Sequence, residues 1–127
     1  MSSSRMSARG TMLALAAAPL IALPLPASAQ SAFNGVWSVL IITDNGPCDR
    51  AYRYPIRIAN GQVSYAGQSD FDVAGRVTRN GAVRVMVGRG NQRASGSGRL
   101  NNGWGTGTWR GMGEGVCSGR WTAEKRG

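Results

Sequence analysis

Four of the six acidic side chains fall in close pairs, Asp44 with Asp49 and Asp70 with Asp72. Paired carboxylates can act as the acid and nucleophile of a glycosidase, or hold calcium. The oxygen-rich spacing of a calcium loop is absent. Asp70 and Asp72 read instead as partners for arginines on neighbouring strands, exposed pairs worth under about 1 kcal/mol. The chain has no histidine, which excludes His-based triads, imidazole acid–base chemistry and His-ligated metals. Two cysteines are too few for an iron–sulfur cluster or a structural zinc site. The expectation is a protein that is not an enzyme and carries no cofactor and no metal.

Cys48 and Cys117 could supply a reactive thiol, but neither a C-x-x-C motif nor a histidine partner supports that chemistry. Their context points to a bridge. Arg5 and Arg9 precede an apolar run over 11–26, and Ala27-Ser28-Ala29 forms a small-residue cleavage site before Gln30. Residues 1–29 therefore read as a cleaved signal peptide of the general secretory route. The apolar run is shorter than the roughly 20 residues a membrane span needs, and Pro19, Pro24 and Pro26 interrupt it. Residues 30–127 are then an exported domain, periplasmic or extracellular, without a transmembrane span. In an oxidising compartment Cys48–Cys117 becomes a disulfide, closing a loop worth roughly 4 kcal/mol in the chain-entropy model.

The remaining chemistry is cationic. Residues 30–127 hold 13 basic against 6 acidic side chains, a formal charge of +7, and Lys125 is the only lysine. Arginine offers a planar fork suited to carboxylates and phosphates, and its charge is not titrated away.

The elements that must position these groups are strands. Asn45-Gly46, Asn60-Gly61, Asn80-Gly81 and Asn102-Gly103 supply the positive φ angles of tight hairpin turns. Between them apolar residues alternate with period two. Tyr52, Tyr54, Ile56 and Ile58 oppose Arg53, Pro55 and Arg57, and Val83, Val85 and Val87 oppose Arg84 and Met86. Eight strands follow, near 34–43, 51–59, 62–66, 70–78, 82–88, 92–100, 103–110 and 116–123. Tight turns favour an all-β, antiparallel up-and-down meander, and closing it into a single small barrel removes its edges. A two-sheet β-sandwich is the alternative, because pattern does not fix closure. Pro55 should lie at an edge or bulge.

This frame gives the aromatic and basic residues opposite faces. Trp37, Tyr52, Tyr54, Phe71, Trp109 and Trp121 point inward, either as the lining of a ligand pocket or as a plug sealing the core. Ala94, Gly96, Gly98, Gly105 and Gly107 leave space beside them. Arg53, Arg57, Arg76, Arg84, Arg99 and Arg120 point outward and are candidate anion-binding residues. The glycine-rich segment 111–115 is either a lid or a bare connector.

Three Gly-x-Trp triplets occur, Gly35-Val36-Trp37, Gly107-Thr108-Trp109 and Gly119-Arg120-Trp121. In a strand each glycine shares a face with its tryptophan, leaving room for an adjacent indole. The first triplet, within Phe33-Asn34-Gly35-Val36-Trp37, resembles the opening strand of calycin-like barrels: lipocalins, avidins and the small periplasmic inhibitors of secreted bacterial metalloproteases. The inhibitors share the signal, the length and an early cysteine like that of Cys48-Asp49, although Cys117 lies later than their pattern has it. The resemblance implies that Trp37 closes a barrel, and it implies no ligand site.

Three functions compete. The leading one is an exported, non-enzymatic β-barrel binding protein whose Arg-rich surface takes an anionic cell-envelope component, an anionic glycan or lipid headgroup. The second is inhibition of a secreted protease through the segment 30–34. The third is carriage of a small apolar ligand in a Trp-lined cavity. Nucleic acid is disfavoured as a partner, because surface aromatic stacking platforms are lacking.

Overall fold

In a computed structural model of the chain, the described residues are 32–113 and 115–127. The segment 1–29, which the sequence suggests is a signal peptide, the start of the segment 30–34 and Glu114 lie outside them. The alternating segments form eight strands: β1 (Gly35–Asn45), β2 (Ala51–Ala59), β3 (Gln62–Tyr65), β4 (Asp72–Val77), β5 (Ala82–Arg89), β6 (Gln92–Asn101), β7 (Trp104–Met112) and β8 (Val116–Lys125). Each pairs antiparallel with the next, and β8 pairs with β1, so the meander is a closed barrel and not a sandwich.

Turn chemistry sets the local geometry. Asn60 and Gly61 have φ of 52° and 80°, both positive as a type I′ hairpin between β2 and β3 requires. Closure leaves Pro55 no sheet edge in the ordinary sense, yet it finds a local one. Its carbonyl accepts the amide of Ala66 just beyond the short β3, so its missing N–H faces a place where the neighbouring strand has ended.

Antiparallel order sorts the connections into two ends. The turns β2–β3, β4–β5 and β6–β7 gather with the segment preceding β1 at one end. This end is packed shut: Trp37 is fully buried, as nearly are Ile58, Val77, Leu100 and Ala123. Phe33 folds beneath it and is buried too; its carbonyl accepts the Trp37 indole N–H at 2.9 Å. Asn34 is tied down beside it, its Oδ1 accepting the Asn60 amide at 2.8 Å. The described part of the 30–34 segment is therefore docked on the barrel body.

Burial loosens toward the other end. Along β5, Val83 is buried whereas Val85 and Val87 are half-buried. Along β2, Ile58, Ile56 and Tyr54 are buried whereas Tyr52 is 37% exposed. An inward-facing residue meets water only through the lumen, so this end is open. The loop after β1 folds over part of it. Cys48 is bonded to Cys117 of β8, and the amide of Thr43 donates to the Arg50 carbonyl. The segment 111–115 is not simply a loop, because β7 continues through Met112 by pairing with Arg93 and Val116.

Candidate ligand-binding site

The lumen holds a cavity of about 160 Å³ with an almost wholly apolar lining, and all six inward-facing aromatic residues border it. Trp37 forms its floor at the closed end. Tyr52, Tyr54 and Phe71 form one wall: Phe71 stacks on Tyr54 with centroids 5.8 Å apart and an 18° interplanar angle, and meets Tyr52 at 5.8 Å and Tyr65 at 5.3 Å. Trp109 and Trp121 stand on β7 and β8.

The two tryptophans are placed by a reciprocal device. Trp109 lies opposite Gly119, and Trp121 lies opposite Gly107. Two Gly-x-Trp triplets on antiparallel neighbours therefore interlock, each indole crossing the other triplet's glycine. The Trp109 N–H crosses β8 to donate to the Ile42 carbonyl of β1 at 3.0 Å. The Trp121 N–H crosses β7 to donate to the Ser97 carbonyl of β6 at 3.2 Å. The glycines thus hold indoles, as the triplets suggest, and free volume remains in front of Ala94 and Gly96 of β6, which also line the cavity. The aromatic residues act both as plug and as lining, Trp37 as the former and the rest as the latter.

Two hydroxyls belong to the residues of this wall, those of Tyr52 and Tyr54. Tyr54 is buried, and burial together with neighbouring Tyr52 pushes its hydroxyl up to about 12. No side-chain hydrogen bond among the described residues uses that hydroxyl.

Above the cavity the lumen widens into a mouth of about 420 Å³ that shares Ile41, Tyr52, Phe71, Val87, Ala94 and Trp109 with it. The mouth is more polar, bordered by Asp49, Arg89, Gln92 and Arg93. Arg89 is not one of the six outward candidates, and it stands at the end of β5 beside the turn to β6. The signal was present, because Val83, Val85, Val87 and Arg89 continue one inward-facing series. Its guanidinium carbon lies 4.9 Å from the Phe71 ring centroid, and its Nε meets Asp70 at 3.3 Å. Asp72 opens β4 and enters none of the ion pairs among the described residues.

All six outward candidates, Arg53, Arg57, Arg76, Arg84, Arg99 and Arg120, are exposed. Three are engaged at home. Arg53 donates to Ser38 Oγ at 3.0 Å, and Arg99 donates to the Asn80 carbonyl at 3.0 Å. Arg120 forks onto Asp44 at 2.9 and 3.0 Å, where a bulge lifts Asp44 out of the β1–β8 register. That hydrogen-bonded fork holds the Asp44 carboxyl below its ordinary range and raises Arg120. Arg57, Arg76 and Arg84 enter none of the ion pairs among the described residues, and Arg76 and Arg84 are direct cross-strand partners.

Among the described residues no three metal-ligating side chains cluster, and no helix is long and apolar enough to cross a membrane. No family model, curated protein or solved structure matches the chain. The likeness to calycin-like barrels therefore rests on Gly35-Val36-Trp37 alone.

Proposed function

We propose that this chain is a binding protein that takes a small, largely apolar molecule into its barrel through the open end. The observation that carries the reading is the aromatic-lined cavity, closed at the Trp37 end and continuous with a wider mouth at the other. Protein interiors normally close such voids by repacking, and sites for small molecules are concave and mostly apolar with a few polar groups. The Tyr54 hydroxyl is such a group. A dry cavity of about 150 Å³ elsewhere holds benzene, which sets the scale at one ring or a short chain.

The test is titration with single-ring probes such as toluene, benzyl alcohol and p-cresol, followed by amide chemical shifts and thermal unfolding. Saturable shifts around the cavity and a raised Tm are expected, since a ligand at a hundred times its Kd stabilises by about 2.7 kcal/mol. Ala94→Leu, which fills the throat, should abolish the response in a folded protein. Undiminished binding by that variant would overturn the reading.

A second reading has its own observation. Arg76 and Arg84 face each other outside the barrel without an acidic neighbour bridging them, an arrangement that costs stability and that a bound anion would relieve. An anionic glycan or lipid headgroup on this face is the partner it favours. Such binding should weaken steeply as ionic strength rises and should be lost in the Arg76→Gln, Arg84→Gln double variant. Docking of the Phe33–Asn34 segment on the barrel body gives protease inhibition no comparable support.

A further inference from the structure

Resting on the carrier reading, we infer that the ligand is an organic anion: an apolar body about the size of one aromatic ring, with its carboxylate held by Arg89 at the mouth. Several observations converge on that residue.

Arg89 ends the inward-facing series Val83, Val85, Val87. It is the point at which an apolar wall of the lumen gives way to a permanent cation. It also sits over Phe71, the ring that stacks on Tyr54. A ligand ring packed against this aromatic wall therefore carries its outward end toward the guanidinium.

The guanidinium is only partly used. Asp70 touches Nε alone, at 3.3 Å, and both side chains are well exposed, at 50% and 84%. No hydrogen bond among the described residues engages the two terminal nitrogens of Arg89. Arg93, the other cation at the mouth, is committed instead, its Nη1 donating to the Gly90 and Gln92 carbonyls. Arg89 thus presents an open fork to an incoming carboxylate, the geometry in which arginine binds most selectively. Parting from Asp70 costs little, because exposed single-contact pairs contribute little.

The size of the site separates the two halves of the ligand. The apolar cavity accommodates one ring, and the wider mouth above it leaves a hydrated headgroup room beside Arg89. The charge of the whole chain points the same way. Asp49 at the mouth is a local negative group, but a formal charge of +7 over residues 30–127 draws anions toward it and repels cations.

The experiment compares phenylacetate with its neutral isostere 2-phenylacetamide, and with phenethylamine, by calorimetry or amide chemical shifts. Phenylacetate should bind about 10- to 100-fold tighter than the amide, the range for a charge-assisted hydrogen bond, and the amine weakest. Arg89→Gln should erase the acid's advantage over the amide, with Tm near that of the parent protein. Arg89→Lys, a point charge without the fork, should restore part of it. Equal affinity for acid and amide, tighter binding of the amine, or an Arg89→Gln variant that still prefers the acid would each overturn the assignment to Arg89. In those outcomes neutral probes still bind and the carrier reading survives. If none of the probes binds, both readings fall together.

Discussion

Trp121 of β8 lies across Gly107, its register partner on β7, so closely that a Cβ on that glycine would stand 2.6 Å from indole carbons. The other face of that position is closed by the Ser97 carbonyl of β6. Neither neighbour can retreat, one being backbone and the other an indole pinned by its own hydrogen bond to Ser97. Gly107→Ala should therefore destabilise the barrel by roughly 1–3 kcal/mol, the range for overpacking. Gly103→Ala is the matched control, since a Cβ there meets only Lys125 Cβ at 3.8 Å. Urea unfolding of both variants checks the difference.

The indole N–H groups offer a separate test. Trp109 and Trp121 each hand their proton to a backbone carbonyl two strands away, at Ile42 and Ser97. Trp109→Phe and Trp121→Phe keep an aromatic ring and delete the donor. Each should cost about 1–3 kcal/mol, the penalty for orphaning a half-buried acceptor. Hydrogen exchange should rise along β1 and β8 in the first variant, and along β6 and β7 in the second. An unchanged exchange pattern would mean that these bonds do not staple the strands.

How far the sequence reaches is visible in these same residues. Strand positions are legible because period-two alternation and the Asn-Gly turns are local signals, and β2 is found at its expected limits. The long pairing of β1 with β8 is less so: both run two residues further than alternation suggests, because each is extended by its partner. Phe33 escapes for a related reason, since what buries it is the closed end of the barrel and not its neighbours in the chain. Arg89 was legible as the end of an alternating series and was obscured by its place beside a turn. The cavity itself was not legible. Its volume is the small mismatch between glycine-lined β6 and aromatic β2, and a difference of that kind appears only when the strands are set side by side.

The disulfide supports the mouth and the fold at once. Cys48 and Cys117 are separated by 69 residues, so the bridge restrains a large loop in the unfolded chain. The Cys48→Ala, Cys117→Ala double variant should lose roughly 4 kcal/mol, read as a lower midpoint in urea. Because Cys48 anchors the loop after β1 over the open end, the loop amides from 46 to 50 should also lose exchange protection before the strands do. Loss confined to global unfolding would show that the bridge does not order the mouth.

Tyr54 makes stability depend on alkaline pH with a definite sign. Its hydroxyl stays protonated up to about 12 in the folded barrel, against 10.0 as its ordinary value. Between these values the unfolded chain binds fewer protons than the folded one, so stability falls as pH rises. The contribution is fully present below pH 10 and is lost as pH rises toward 12, amounting to about 1.4 kcal/mol at pH 11. Tyr54→Phe removes this source of loss. At neutral pH the variant should match or exceed the parent, because the deleted hydroxyl has no partner among the described residues. Guanidinium unfolding at pH 8 and pH 11 should show the parent losing about 1.4 kcal/mol more than Tyr54→Phe over that interval. Equal losses would place the Tyr54 phenol in contact with water, and the polar contact assigned to it inside the lumen would fall with that result.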